Sequence, residues 1–420
     1  MNRIIVTTGM AALSVVALQP VLAQDAKPWN VTATVRSFYD DNYLTLPKGG
    51  KRSSWGLDLS PSAAYQLKRD QTTLDLSSRY GMRYYEDRRQ GSADHSFDFG
   101  VSLDHQFTEK QKLTVSDSFA IAQEPGVLDP SALASSTLRS DGNNLRNNIQ
   151  FKYAWDDIIE RWSGETSYAN TYYDYQEDSA RATSLTNPTG AGSKSSLLDR
   201  VEHLLTMVGR YRVFDETSTE LLMGYSFGIN DSTSKDLLAA GVLPALRDSR
   251  SHYFFTGGGH KFTQELRVNG RLGLQYAEYP NATAAAGFPQ SQTSPYLDVS
   301  GSWDYLPNSS AQLGMRIARI STALASSVDT EATTIYSSLN HEFNPDLKGS
   351  VLAQYQISQY STPNASEGFF TAGLNLEWRF HQFISLEGGY NYDRQDSDKV
   401  LLPGRSYYRN RLYLGFKGTW

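Results

Sequence analysis

Arginines recur in close pairs along this chain. Arg79 and Arg83, Arg210 and Arg212, Arg267 and Arg271, and Arg409 and Arg411 each fall on the polar alternation of their own segment. Asp98, Asp104, Asp298 and Asp304 do the same with the opposite sign. Fixed charges on one side of neighbouring strands can do two things. Arranged as separated ladders around an aqueous passage, they set a transverse field that selects solutes. Paired across strands, they form a wall of salt bridges that keeps inward polar groups satisfied. Arg79 and Arg83 are expected to face Asp98, and Arg271 to lie near Asp304.

Chemistry of other kinds has little to stand on. Ser251 and His252 are the one Ser–His pairing at a strand start beyond a long loop, and adjacent strand residues point to opposite faces. Metal-ligand spacings and phosphate loops are absent, so no catalytic residue, metal or cofactor is expected. The net charge is −6, from 39 basic and 45 acidic residues, and no basic stretch suggests nucleic acid. There is no cysteine, so stability rests on hydrogen bonding and burial rather than disulfides.

The elements that carry the charges show period-two alternation almost throughout. Trp55, Leu57, Leu59, Ala63, Tyr65 and Leu67 share one face, with Asp58, Ser60, Ser62 and Gln66 on the other. Leu74, Leu76, Tyr80, Met82 and Tyr84 stand likewise against Asp75, Ser77, Arg79 and Arg83. Such runs are longer than the strands of globular proteins and reach the length a tilted strand needs to cross a bilayer. About eighteen segments fit, with sixteen the next count. This predicts an all-β fold, a single antiparallel up-and-down transmembrane barrel over residues 24–420. A negative mean hydropathy is no objection, because each strand is only half apolar.

Connections alternate in length. Lys68–Gln71, Thr108–Gln111, Phe214–Glu216, Leu306–Asn308, Asn344–Asp346 and His381–Gln382 are short. Gln123–Asn144, Gln176–Ser196, Asp231–Ser249, Pro280–Ser294 and Arg394–Arg405 are long. That pattern predicts periplasmic turns, extracellular loops and both termini in the periplasm. Residues 1–23 have a charged lead, an apolar stretch and the small-residue site Val21-Leu22-Ala23, which reads as a signal peptide cleaved after Ala23. Six tryptophans, Trp29, Trp155, Trp162, Trp303, Trp378 and Trp420, fall at the presumed turn end, with Trp55 the exception. Tyr39, Tyr84, Tyr85, Tyr172, Tyr173, Tyr279, Tyr390, Tyr392, Tyr407 and Tyr408 gather at the other end, so two aromatic belts are expected.

The C-terminal RLYLGFKGTW puts Leu412, Leu414, Phe416 and Trp420 on one alternation. It resembles the closing strand of a bacterial outer-membrane barrel, and the resemblance makes Phe416 and Trp420 an assembly signal read by the barrel-assembly machinery. Gly415 fits that pattern and Gly418 departs from it. RSFYDDNYL (Arg36–Leu44) and Tyr-rich strands such as SSRYGMRYYEDR (Ser77–Arg88) resemble the family called putative beta-barrel porin 2. That resemblance implies a Gram-negative outer-membrane location, and some members are linked to exopolysaccharide operons.

Expected partners are outer-membrane lipid and lipopolysaccharide, the assembly machinery, and a polysaccharide or small hydrophilic solute. The expected role is a porin-like channel for passive diffusion of small hydrophilic solutes or glycans. The alternative is a loop-plugged barrel supporting exopolysaccharide export or surface assembly. DLLAAGVLPAL (Asp236–Leu246) is the most apolar of the long loops and is expected to fold inward or cap the mouth. Asp117, His203 and Arg319 fall on the lipid-facing alternation. A charge there costs about 2–4 kcal/mol at mid-bilayer, so a register slip or bulge is expected near each.

Overall fold

The computed structural model describes residues 27–420, except 89–90, 124–143, 176–197, 214–218, 235–242, 284–287, 323, 325–326, 362–363 and 402–403. The expected signal peptide, and most of the apolar loop at Asp236–Leu246, lie outside the described residues.

Eighteen antiparallel strands form one sheet, and β1 pairs with β18 to close it. In chain order they are β1 (Trp29–Asp40), β2 (Ser54–Arg69), β3 (Thr72–Tyr85), β4 (Ala93–Thr108), β5 (Gln111–Ala122) and β6 (Asn144–Ile159). Next come β7 (Trp162–Tyr175), β8 (Arg200–Arg212), β9 (Thr219–Ser232), β10 (Ser249–Lys261), β11 (Leu266–Glu278) and β12 (Ser291–Leu306). The last are β13 (Ser309–Ile320), β14 (Thr330–Asn344), β15 (Leu347–Tyr360), β16 (Ala365–His381), β17 (Ile384–Ser397) and β18 (Tyr407–Thr419). Each strand bonds to its sequence neighbours, so the barrel is up-and-down and has no free edge. The expected count and the strand positions hold to within a few residues.

Alternation fixes which face is which. Val35, Leu57, Phe99, Phe151, Met223, Leu272, Leu313, Leu374 and Leu414 are exposed outward. Their sequence neighbours form the inward face, where Asp40, Glu165, Gln275, Gln356, Glu387 and Asp393 are buried. A sheet that exposes its apolar side and buries its carboxylates is inverted relative to a soluble sandwich, and lipid is the solvent that such a surface fits.

One barrel end carries the turns, between β2 and β3, β4 and β5, and so on. The other carries the loops, 41–53 and 321–329 among them. Trp29, Trp155, Trp162, Trp303, Trp378 and Trp420 stand at the turn end, and Trp55 at the loop end beside Tyr39, ring centroids 5.1 Å apart. The tyrosines divide. Tyr39, Tyr84, Tyr172, Tyr390, Tyr392 and Tyr408 face outward, whereas Tyr85, Tyr173, Tyr279 and Tyr407 are buried inside. The loop-end belt is therefore smaller than expected, because four of its ten rings form interior packing.

The seam is held at both ends. Val31 and Trp420 exchange backbone hydrogen bonds of 3.2 and 2.9 Å. At the loop end, Asp41 accepts from the backbone N–H and side-chain amide of Asn410, 2.7 Å each. Asn42, fully buried, donates to the Tyr408 and Leu46 carbonyls and accepts from Leu46 N–H. Arg36 reaches past β18 to Glu387 at 2.6 Å. RSFYDDNYL is thus the segment that fastens the first strand to the last. Gly418 also finds its reason. The Trp420 ring lies over it, and a Cβ there would stand 2.5 Å from Cη2.

Candidate functional site

The inward wall holds all twelve charges singled out above, and they behave in two ways. Eight are in ion pairs. Arg83 meets Asp58 at 3.5 Å and Asp104 meets Lys112 at 3.0 Å. Arg210 meets Glu165 at 3.1 Å, Arg212 meets Asp156 at 3.4 Å, and Arg267 meets Glu220 at 3.9 Å. Asp298 meets Arg316 at 3.1 Å, and Asp393 takes both Arg409 at 2.6 Å and Arg411 at 3.5 Å.

Arg79, Asp98, Arg271 and Asp304 make no ion pair among the described residues. Arg79 stands opposite Asp98 in register and acts on it through space. Arg271 stands opposite Asp298 rather than near Asp304, but Asp298 turns to Arg316. Its guanidinium lies over the Phe255 ring, 5.6 Å from the centroid. These four are the charges of the twelve that stand outside ion pairs among the described residues, Arg271 bonding to the Tyr296 hydroxyl instead.

At the loop end, the described residues of the 321–329 connection between β13 and β14 fold inward. Thr322, Ser327, Val328 and Asp329 are buried. Val328 packs with Ala277, Tyr279, Ala282 and Phe288, and Leu246 joins that cluster. On the far side Leu324 packs against Tyr360 and Ala365. Ser321 accepts from Asn230 of β9 at 3.4 Å, so the described residues of this segment meet partners from β9 to β16.

Polar contacts lock it. Arg319 holds Asp329 with both prongs, Nε to Oδ2 at 2.7 Å and Nη2 to Oδ1 at 2.5 Å. The Tyr279 hydroxyl donates to the same carboxylate. Burial, then the charge of Asp329, pushes the Tyr279 phenol up, so it stays protonated as a donor. The Arg319 N–H donates to buried Gln275 at 2.9 Å. Arg247, in the short 3₁₀ turn Pro244–Arg247, is buried and donates to the Thr322 carbonyl. Burial and the nearby Arg200 charge lower its pKa to about 10, and Asp329 opposes them.

The described end of the apolar loop, Leu243 to Asp248, therefore packs beside the 321–329 segment. That segment is a different connection from the one expected to fold inward. Its polar and small residues gave no apolar signal, since it is held by partners from β9, β11 and β13.

The outward outliers do not come from register slips. Asp117 lies in unbroken register with Val101 and Ile149, and Asn147 donates to it at 2.8 Å on the outer face. His203 is in register with Asn170 and Ile229, its Nδ1 2.8 Å from the Tyr168 hydroxyl and 3.2 Å from the Asn170 amide. Neighbouring polar groups satisfy them, which lowers the cost of facing lipid. Arg319 also keeps its register with Glu331, but β13 pairs with β12 only as far as Ile317–Leu297. Beyond that the wall opens, and the guanidinium turns to Asp329.

Ser251 faces Gly228 inside, and His252 lies outside against the Tyr225 hydroxyl, so the two do not share a site. No cluster of metal-binding side chains occurs among the described residues.

A closed barrel with apolar exterior, tryptophan rim and charged interior is a porin-like outer-membrane β-barrel. Residues 293–419, from β12 through β18, match the family model described as Putative beta-barrel porin 2, which bears out the family resemblance. The segments that first suggested it, Arg36–Leu44 and Ser77–Arg88, lie outside the matched part. Among solved structures, the BenF-like porin from Pseudomonas fluorescens Pf-5 is 12% identical, with 94% of this chain and 99% of that one covered and a TM-score of 0.46. OccAB2 of Acinetobacter baumannii is 12% identical over 93% and 98%, with a TM-score of 0.46. The outer membrane protein opdK of Pseudomonas aeruginosa is 11% identical over 93% and 99%, with a TM-score of 0.43. A comparison with curated protein sequences gives no match.

Proposed function

We propose that this barrel is a passive channel for small hydrophilic solutes or short glycan segments, narrowed at its loop end by residues 321–329. Turns lie on the periplasmic side in this reading, and Phe416 and Trp420 serve as the insertion signal. The observation that carries it is the inward wall. Polar and charged side chains line it from the tryptophan end to the 321–329 segment, and Arg79, Asp98, Arg271 and Asp304 keep charge free of ion pairs. Residues like these act on a passing ion at close range.

The test is single-channel conductance of the refolded chain in a planar bilayer, with reversal potential under a salt gradient. Stable steps support the reading, and silence from folded protein overturns it.

The second reading is a plugged barrel that supports polysaccharide export or surface assembly. The inward fold of the 321–329 segment, with partners from β9 to β16, favours it. Under that reading the intact chain is silent and a chain lacking 323–327 conducts.

A further inference from the structure

A short motif recurs at the turn end of four descending strands. It reads HQF at His105–Phe107, HKF at His260–Phe262, HEF at His341–Phe343 and HQF at His381–Phe383. In the first three the geometry is nearly identical. The imidazole and phenyl rings meet edge to face, at 4.8 Å and 81°, 4.4 Å and 82°, and 4.5 Å and 80°. Each Nδ1 sits against a hydroxyl of a nearby strand: Thr72 at 2.9 Å, Thr219 at 2.8 Å and Tyr305 at 2.9 Å. The fourth departs: its rings stand 5.9 Å apart at 50°.

All three histidines belong to the outward alternation, in register with Leu113, Val268 and Gly349. They stand at the level where the apolar band gives way to the tryptophan rim. In the tautomer that accepts the hydroxyl proton at Nδ1, open to Thr72 and Thr219 and, for Tyr305, shared with the Asn340 carbonyl at 3.3 Å, the ring's own proton sits on Nε2. Among the described residues that Nε2–H has no protein partner. A donor fixed in direction and aimed out of the barrel at the edge of the hydrocarbon needs an acceptor there. The phenylalanine two residues on packs edge to face against one side of the ring.

We infer that His105, His260 and His341 dock membrane lipid by donating Nε2–H to headgroup phosphate. Phosphate is the acceptor that fits: it is anionic, lies at that depth, and forms a charge-assisted bond that an ester or sugar hydroxyl does not match. Only insertion in a bilayer is required, so a barrel that proves non-conducting leaves this inference standing.

The test is lipid retention by delipidated, refolded barrel, read by native mass spectrometry. The two probes are phosphatidylglycerol and a digalactosyl diacylglycerol of the same acyl chains. Wild type is expected to retain the phospholipid preferentially. His105→Phe/His260→Phe/His341→Phe should lose about tenfold in phosphatidylglycerol affinity per site. The corresponding Gln variant keeps a donor near the same position and should hold most of the preference. Equal retention by the Phe variant, or no preference in wild type, overturns the inference. Should the triple variant fail to insert, His260→Phe alone is read against His260→Gln with the same criteria.

Discussion

Asp41 grips Asn410 with both carboxylate oxygens, although the two residues are 369 apart in the chain. Lys51 adds a 2.8 Å ion pair and itself lies over the Tyr408 ring. Removing the carboxylate leaves two donors without an acceptor at the loop end of the seam. Asp41→Ala should destabilise the barrel by about 1–3 kcal/mol, read as a lower temperature for the heat-induced mobility shift of the folded band.

The same contact makes the seam sensitive to acid. Burial alone would raise the Asp41 pKa, but Lys51 and the Asn410 donors outweigh it and hold the carboxyl below its ordinary value. A depressed folded-state pKa means stability that is present above the unfolded value and lost as pH falls through the folded one. Below about pH 4, where carboxyls begin to protonate, wild type should lose stability faster than Asp41→Asn. Parallel pH profiles for the two would refute this.

The inward fold of the 321–329 segment depends on Arg319 and Asp329. Asp329→Ala leaves a largely buried guanidinium with only Glu331, 4.0 Å away, as a carboxylate partner, and removing one side of a buried pair costs up to about 3–5 kcal/mol where it cannot relax. Because the segment is a loop, it should relax by leaving the lumen. Larger conductance and new protease cleavage within 321–329 are expected, with strand content unchanged by circular dichroism. Unchanged conductance would mean that the segment does not narrow the passage.

Selectivity should follow pairing. Arg79→Gln and Arg271→Gln remove cations outside any ion pair, and each should move the reversal potential toward cation preference. Arg210→Gln leaves Glu165 buried without its partner at 3.1 Å, so its main effect should be lower stability. A reversal potential that responds equally to all three would undo the distinction.

Asp117→Val should stabilise the barrel. It removes an outward carboxylate at the price of one hydrogen bond from Asn147. A gain of about 1–2 kcal/mol is expected, below the full cost of a lipid-facing charge because aspartate is among the milder cases. The urea midpoint of folding into vesicles measures it.

Period two made most of the fold readable. It does not depend on partners far away, so eighteen strands, their faces and the tryptophan rim could be read from local pattern alone. Inward placement of the arginines follows from the same rule. What alternation cannot give is register between strands. Sequence places Arg271 near Asp304, whereas the ladder sets it against Asp298. Nor does it foresee a loop that is buried by others. The 321–329 segment is short and polar, and Leu246, Tyr279 and Tyr360 enclose it from three other parts of the chain. Local pattern reads the outliers Asp117 and His203 as slips because their satisfiers, Asn147 and Tyr168, sit on adjacent strands.

Pairing of β1 with β18 has a consequence for the order of events. A hairpin forms from neighbours a few residues apart, and the growing sheet can add them one after another. The last ladder joins its two outermost strands, and the entropy of bringing them together rises only slowly with the length between. The delay is therefore one of waiting rather than of force: Asp41 and Asn42 stay without their β18 partners until every other strand is in place. The seam is then a clasp that reports completion, and its bonds should be the last acquired on insertion and the first lost on extraction.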